Sequence, residues 1–71
     1  MISWRDFDRW AARNGYTFAI QGTNDEVIQG VGGGTPIRTG RHNHSDGVPD
    51  GLLQDIAFRL GMTKHDLEDD I

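Results

Sequence analysis

Near its start the chain places Trp4, Phe7 and Ala11 at helical spacing, and Trp10 and Ala12 widen the apolar face. Ser3 stands where an N-cap would, Asp6 three residues later completes a capping-box-like pair, and Ile2 can staple onto Phe7. Asn14-Gly15 supplies a stop, since glycine takes the left-handed conformation without steric cost. The pattern predicts a helix over 4–14. Trp4 and Trp10 fall far round that helix from each other, so only one is expected to be fully core; an exposed one would mark a partner surface.

The period changes at Tyr16. Tyr16, Phe18 and Ile20 alternate with Thr17, Ala19 and Gln21, which predicts a strand with its apolar side chains on one face. Gly22-Thr23-Asn24-Asp25 reads as a turn, and Glu26-Val27-Ile28-Gln29 resumes the strand character. Gly30-Val31-Gly32-Gly33-Gly34 reads as a flexible turn or a bulged strand end. Thr35-Pro36-Ile37-Arg38-Thr39 is a third, short strand, whose proline suits an edge, where a missing N–H costs least. Connections this short favour an antiparallel meander.

Helical spacing returns after Pro49, a residue suited to a first turn, with Asp50 near the positive end of the helix. Leu53, Ile56, Ala57 and Leu60 line one face, Leu52 adjoins it, and Gly61 ends the run. Thr63 as N-cap, Asp66 at the box position and Met62 opposite Leu67 as a staple begin a last helix, short, acidic and expected to fray. The expected fold is α+β: an α-β-β-β-α order in one domain over 1–71, with a three-stranded antiparallel sheet packed on two helices, plus a short C-terminal helix.

Composition adds bounds. A chain of 71 residues, 35% hydrophobic, builds one small core at most, to which two Trp, three Phe and one Tyr bring large buried areas. Without cysteine, neither a disulfide nor a thiolate zinc site staples it. No apolar run approaches the ~18–20 residues of a membrane span, and the first residues lack the basic-then-apolar pattern of a secretory signal. A soluble, cytoplasmic domain with no membrane partner is the expectation.

A net charge of −4 argues mildly against nucleic acid, because phosphate binding needs Lys and Arg. The distribution of charge tempers this. Arg5, Arg9, Arg13, Arg38 and Arg41 outweigh Asp6, Asp8, Asp25 and Glu26 in the first 45 residues, and the acidity lies in the remainder. Arg5, Arg9 and Arg13 recur every fourth residue and form one ridge of the first helix, either a phosphate-tracking stripe or a solvated face pairing with Asp6 and Asp8.

The candidate chemistry centres on Arg41-His42-Asn43-His44, at the junction between a short strand and a helix. Imidazole is the side chain whose unperturbed pKa suits proton transfer near neutral pH. With Asp46, His42 and His44 would also make a two-histidine, one-carboxylate metal set, but the spacing is common by chance and no further ligand is required elsewhere, so no metal and no cofactor is expected. The glycine run is not a phosphate loop: no lysine follows it, and a proline and strand take the place of a helix. The terminal acids Asp66, Glu68, Asp69 and Asp70 lack a calcium-loop pattern; they are expected to form a solvated acidic end, or else to imitate nucleic acid or dock on a basic partner.

Taken together, the opening helix ending in Asn14-Gly15-Tyr16, the first strand running into Gly22-Thr23, the third strand leading to Arg41-His42-Asn43 and the closing Gly51-Leu52-Leu53-Gln54-Asp55-Ile56-Ala57-Phe58-Arg59-Leu60-Gly61-Met62 resemble the HicA-type toxins of bacterial toxin–antitoxin pairs. The resemblance covers nearly the whole chain. It implies a double-stranded-RNA-binding-domain-like fold and a growth- or translation-inhibitory mRNA interferase, a metal-independent endoribonuclease acting on single-stranded RNA or mRNA and paired with an antitoxin-like or host protein. Family members carry an active-site histidine shortly after the Gly-Ser or Gly-Thr of the first hairpin. Asn24 stands at that position here, and an amide positions groups but does not titrate. His42 matches a family position, and His44 has only its proximity. The resemblance thus implies weakened or rewired cleavage, with Thr23, Arg38, Arg41 and the Arg5, Arg9, Arg13 ridge holding RNA, or else a catalytically inactive module that binds a protein.

Overall fold

The computed structural model describes residues 1–71 and has the order α1 (Trp4–Arg13), β1 (Thr17–Gln21), β2 (Asp25–Gln29), β3 (Ile37–Arg38), α2 (Asp50–Leu60) and α3 (Lys64–Asp70). A turn at Val31–Gly33, with Gly32 in the left-handed conformation, and a 3₁₀ turn at Arg41–Asn43 flank β3. The expected capping chemistry is present: the Ser3 hydroxyl accepts from the Asp6 N–H at 3.1 Å, and that of Thr63 from the Asp66 N–H at 3.0 Å. Gly61 closes α2 in the left-handed conformation.

The three strands pair antiparallel in the order β1-β2-β3, with Ala19 opposite Val27 and Val27 opposite Arg38. Phe18, Ile28 and Ile37 share the face turned to the helices, so Ile28 and Ile37 join Phe7, Trp10 and Ala11 of α1 and Leu52, Leu53, Ile56 and Ala57 of α2 in one core. Trp10 is fully core and Trp4 half-buried. Pro36 stays outside β3, which is only two residues long and lies at an edge.

Two segments are more ordered than their composition suggests. Leu67 of α3 is completely buried, the Trp10 indole N–H donates to Asp70 Oδ2 at 2.9 Å, and Arg13 Nη2 donates to the Asp70 carbonyl at 3.1 Å. The acidic last helix is therefore docked on α1 rather than frayed, because one apolar side chain and one indole partner outweigh its weak intrinsic helicity. The glycine run is likewise fixed. Val31 plugs into the core, and Arg59 of α2 donates through Nη1 to the Thr35 carbonyl, closing the loop over the end of the helix.

Gly32 lies where that loop meets α2, at φ 62°, and a Cβ there would come within 2.7 Å of the Arg59 carbonyl oxygen. Gly33 has a similar φ of 69° but open space around it. Gly33→Ala is expected to cost about 1 kcal/mol of backbone strain, and Gly32→Ala about 1–2 kcal/mol more from the backbone clash; urea midpoints of the two variants measure the difference. Leu67→Ala is expected to cost about 2–4 kcal/mol and to release α3, read as new amide exchange confined to residues 64–70.

Candidate functional site

Strand direction decides which residues meet. Because β3 runs antiparallel to β2 with Arg38 opposite Val27, the chain leaves β3 at the end of the sheet where β2 begins. The 22–24 bend and the Arg41–Asn43 turn therefore lie at one end of the sheet. The first turn of α1 reaches the same end, where the Trp4 indole N–H donates to the His44 carbonyl at 2.7 Å. Thr23, Asn24, Arg38, His42, His44 and Arg5 are thus carried by neighbouring elements. All six are exposed.

Arg41 has a different role. Its Nη1 and Nη2 donate to the two oxygens of Asp8 on α1 at 2.9 and 2.7 Å, and its Nε donates to Glu26 Oε1 on β2 at 2.9 Å. The guanidinium carbon lies 4.5 Å from the Trp4 ring centroid and 5.4 Å from that of Phe18. Thr39, buried beside β3, donates its hydroxyl to the same Glu26 oxygen at 2.8 Å. The Asp8 hydrogen bond raises the Arg41 pKa most; desolvation opposes it, and Glu26 and the two carboxylate charges add to the rise. A raised cation contributes its stability below its unfolded pKa and loses it only as pH climbs through the folded value, far above the working range. Every nitrogen of this guanidinium donates inside the domain, so the arginine holds structure where a phosphate contact was expected.

The remaining groups are open. The single histidine placed close to a carboxylate is His65, 3.6 Å from Asp69, while His42 and His44 expose imidazoles with no hydrogen-bond partner. The His42 turn is positioned through its backbone, Asn43 N–H donating to Gly40 and His44 N–H to Arg41. Arg38 rests 3.7 Å from Asp25, a loose and exposed pair. Arg9 and Arg13 continue along α1, the latter about 12 Å beyond Arg5 along the helix axis, and Arg13 is tied to the last helix. The ridge of α1 is therefore divided between the two ends of the domain. No three His, Asp or Glu side chains converge to hold a metal ion, and His42, His44 and Asp46 do not form such a set.

Two depressions flank this end. A cleft of about 360 Å³ lies under the loop between Asn43 and Asp50, with His44, Asp46 and Glu68 at its walls. A shallow groove of about 430 Å³ runs between α1 and β1, lined by Ala12, Tyr16 and Phe18 on one side and the Asp8, Glu26 and Arg41 cluster on the other. Compared with protein-family models, with curated proteins and with solved structures, the chain matches none of them. No helix is long and apolar enough to cross a membrane.

Sequence reasoning did not single out Asp8, Glu26, Trp4 or Phe18 as partners of Arg41. One signal was available. Glu26 has the same parity in β2 as Ile28, so a carboxylate points to the helix-covered face, and such a group requires a cation or donor. Arg41→Ala is expected to destabilise the fold by about 2 kcal/mol, mainly through two carboxylates left without their cation. Arg41→Lys should recover less than half of that, since an ammonium lacks the fork and the flat face. Melting temperature is the readout, with a drop of about 8–16 °C for the alanine variant.

Proposed function

We propose that the chain is a HicA-like domain of the toxin type, with a double-stranded-RNA-binding-domain-like fold, and that it interacts with single-stranded RNA or mRNA through the end of the sheet bearing Asn24 and His42. In this reading it inhibits growth or translation, with cleavage weakened or rewired. The supporting observation is that the first-hairpin bend and the histidine turn, 18 residues apart in sequence, lie at one end of one sheet. The α-β-β-β-α order from α1 to α2 is the one this reading requires, and α3 is an addition to it.

The residues then divide by chemistry. Cleavage without a metal needs one group to take the 2′-OH proton and another to protonate the leaving oxygen. His42 is the titratable candidate, His44 its neighbour two residues on, and Asn24 contributes amide hydrogen bonds that orient a ribose or base. Thr23 adds a hydroxyl. Arg5 and Arg38, the latter only loosely paired with Asp25, are open to phosphates, whereas Arg41 acts at one remove by holding the turn that bears His42. A second reading, a catalytically inactive module that binds an antitoxin-like or host protein, is favoured by the internal engagement of Arg41 and by the net charge of −4.

One set of measurements separates them. The parent protein, Asn24→His and His42→Ala are incubated with mRNA in the presence of a chelator, and binding of a fluorescent single-stranded RNA is followed at low salt. The toxin reading expects salt-sensitive RNA binding, slow cleavage lost in His42→Ala, and cleavage about 10²–10⁴ faster in Asn24→His. Absence of RNA binding in all three proteins rejects it in favour of the protein-binding module.

A further inference from the structure

The free edge of β1 carries an inference independent of any RNA chemistry. Thr39 N–H donates to the Glu26 carbonyl, so Glu26 and Ile28 direct their backbone groups to β3, and Asp25, Val27 and Gln29 direct theirs to β1. The partners of those three on β1 are Gln21, Ala19 and Thr17. The N–H and C=O of Phe18 and Ile20 therefore point away from the sheet, and none of the turn, loop or cap hydrogen bonds uses them. No strand lies on that side.

Natural sheets blunt such edges with lysine, proline, bulges or very short strands. This one has none of those devices. Thr-Phe-Ala-Ile-Gln is five residues long, carries no formal charge, and leaves Ile20 61% exposed on the helix-side face next to half-buried Phe18. We propose that β1 pairs antiparallel with β1 of a second copy of this chain about a two-fold axis through Ala19, forming a continuous six-stranded sheet.

That register satisfies three requirements at once. Phe18 falls opposite Ile20 of the partner copy and the reverse, so all four outward backbone groups of each edge find partners. The same pairing sets an aromatic against a β-branched side chain on the helix-side face, covering the exposed isoleucine twice. The axis passes through Ala19 facing its own copy, a non-hydrogen-bonded pair in which Cα atoms come to about 4.5 Å and a small residue fits. With no charge on the strand, no like charges are set directly opposite each other.

The contact is small, and a dissociation constant on the order of 100 μM is expected. Sedimentation from about 10 μM to about 1 mM should show a monomer–dimer equilibrium, weakened roughly tenfold or more by Ile20→Lys. Ile20 is exposed, so an unchanged circular dichroism spectrum and melting curve establish that this variant still folds. Because the chain has no cysteine, Ala19→Cys supplies a clean geometric test. It should oxidise to a disulfide-linked dimer, the paired Cα distance lying in the range disulfides accept. Gln21→Cys should not, since the two copies of residue 21 would sit about 13 Å apart along the strands. A single monomeric species up to about 1 mM, equal cross-linking of the two cysteine variants, or undiminished pairing by Ile20→Lys each overturns the proposal. A monomer that instead accepts a strand from a different protein also overturns it. None of these results is a readout of RNA cleavage, which is measured separately through Asn24 and His42.

Discussion

Four elements distant in sequence meet at one guanidinium. Arg41 follows β3, yet it grips Asp8 on α1 with a bidentate fork, takes Glu26 on β2 with its remaining nitrogen and lies between the rings of Trp4 and Phe18. Removing the cation would leave two partly exposed carboxylates near the α1–β2 boundary, Asp8 with no partner and Glu26 with only the Thr39 hydroxyl. Such a pair costs more broken than it is worth made. Because β3 contributes only two residues to the sheet, this side-chain tie does what a longer strand's ladder would do: it fixes where the chain goes after the sheet ends.

The same tie determines what the histidine loop offers. Its backbone is held from two directions, by Arg41 from within and by the Trp4 indole on the His44 carbonyl, while the imidazoles of His42 and His44 face solvent. A loop whose main chain is fixed and whose titratable side chains are free suits contact with an external molecule, because little ordering entropy is lost on binding. It does not by itself assemble an acid and a base. Where the resemblance expects an imidazole at the first-hairpin bend there is an amide, and the arginine nearest His42 is occupied. On the proposed reading, this end offers more groups for binding than for proton transfer.

Local signals in the chain were legible because their causes are local. Ser3 with Asp6, Thr63 with Asp66 and the Gly61 stop depend on neighbours within one helical turn, and each occurs as expected. The strand order followed from short connections. The docking of α3 did not, since the indole of Trp10 and the carboxylate of Asp70 are 60 residues apart and no periodicity links them. The glycine run looked flexible for the same reason: what fixes it is Arg59 from α2, and the one residue in it with a side chain to bury, Val31, carries the anchor. For the site, it was the resemblance that implied Arg41 meets RNA. Only the parity of Glu26 on the inward face argued for an internal partner.

The two edges of the sheet show how unevenly such a small domain protects itself. At β3 the strand is short, Pro36 precedes it, and the chain turns back at once into the Arg41 cluster, so little backbone is left to template another strand. At β1 the strand is long and uncharged, with no proline and no lysine. The difference follows from topology. The residues after β3 leave the sheet at once and tie α1 to β2, so that edge stays short, whereas β1 connects through tight turns at both ends and keeps five residues on its outer side. A sheet of three strands with a two-residue strand at one edge and a five-residue strand at the other has a preferred direction in which to grow, and the side chains that would meet there, Phe18 and Ile20, are ones whose apolar surface the monomer leaves partly in water.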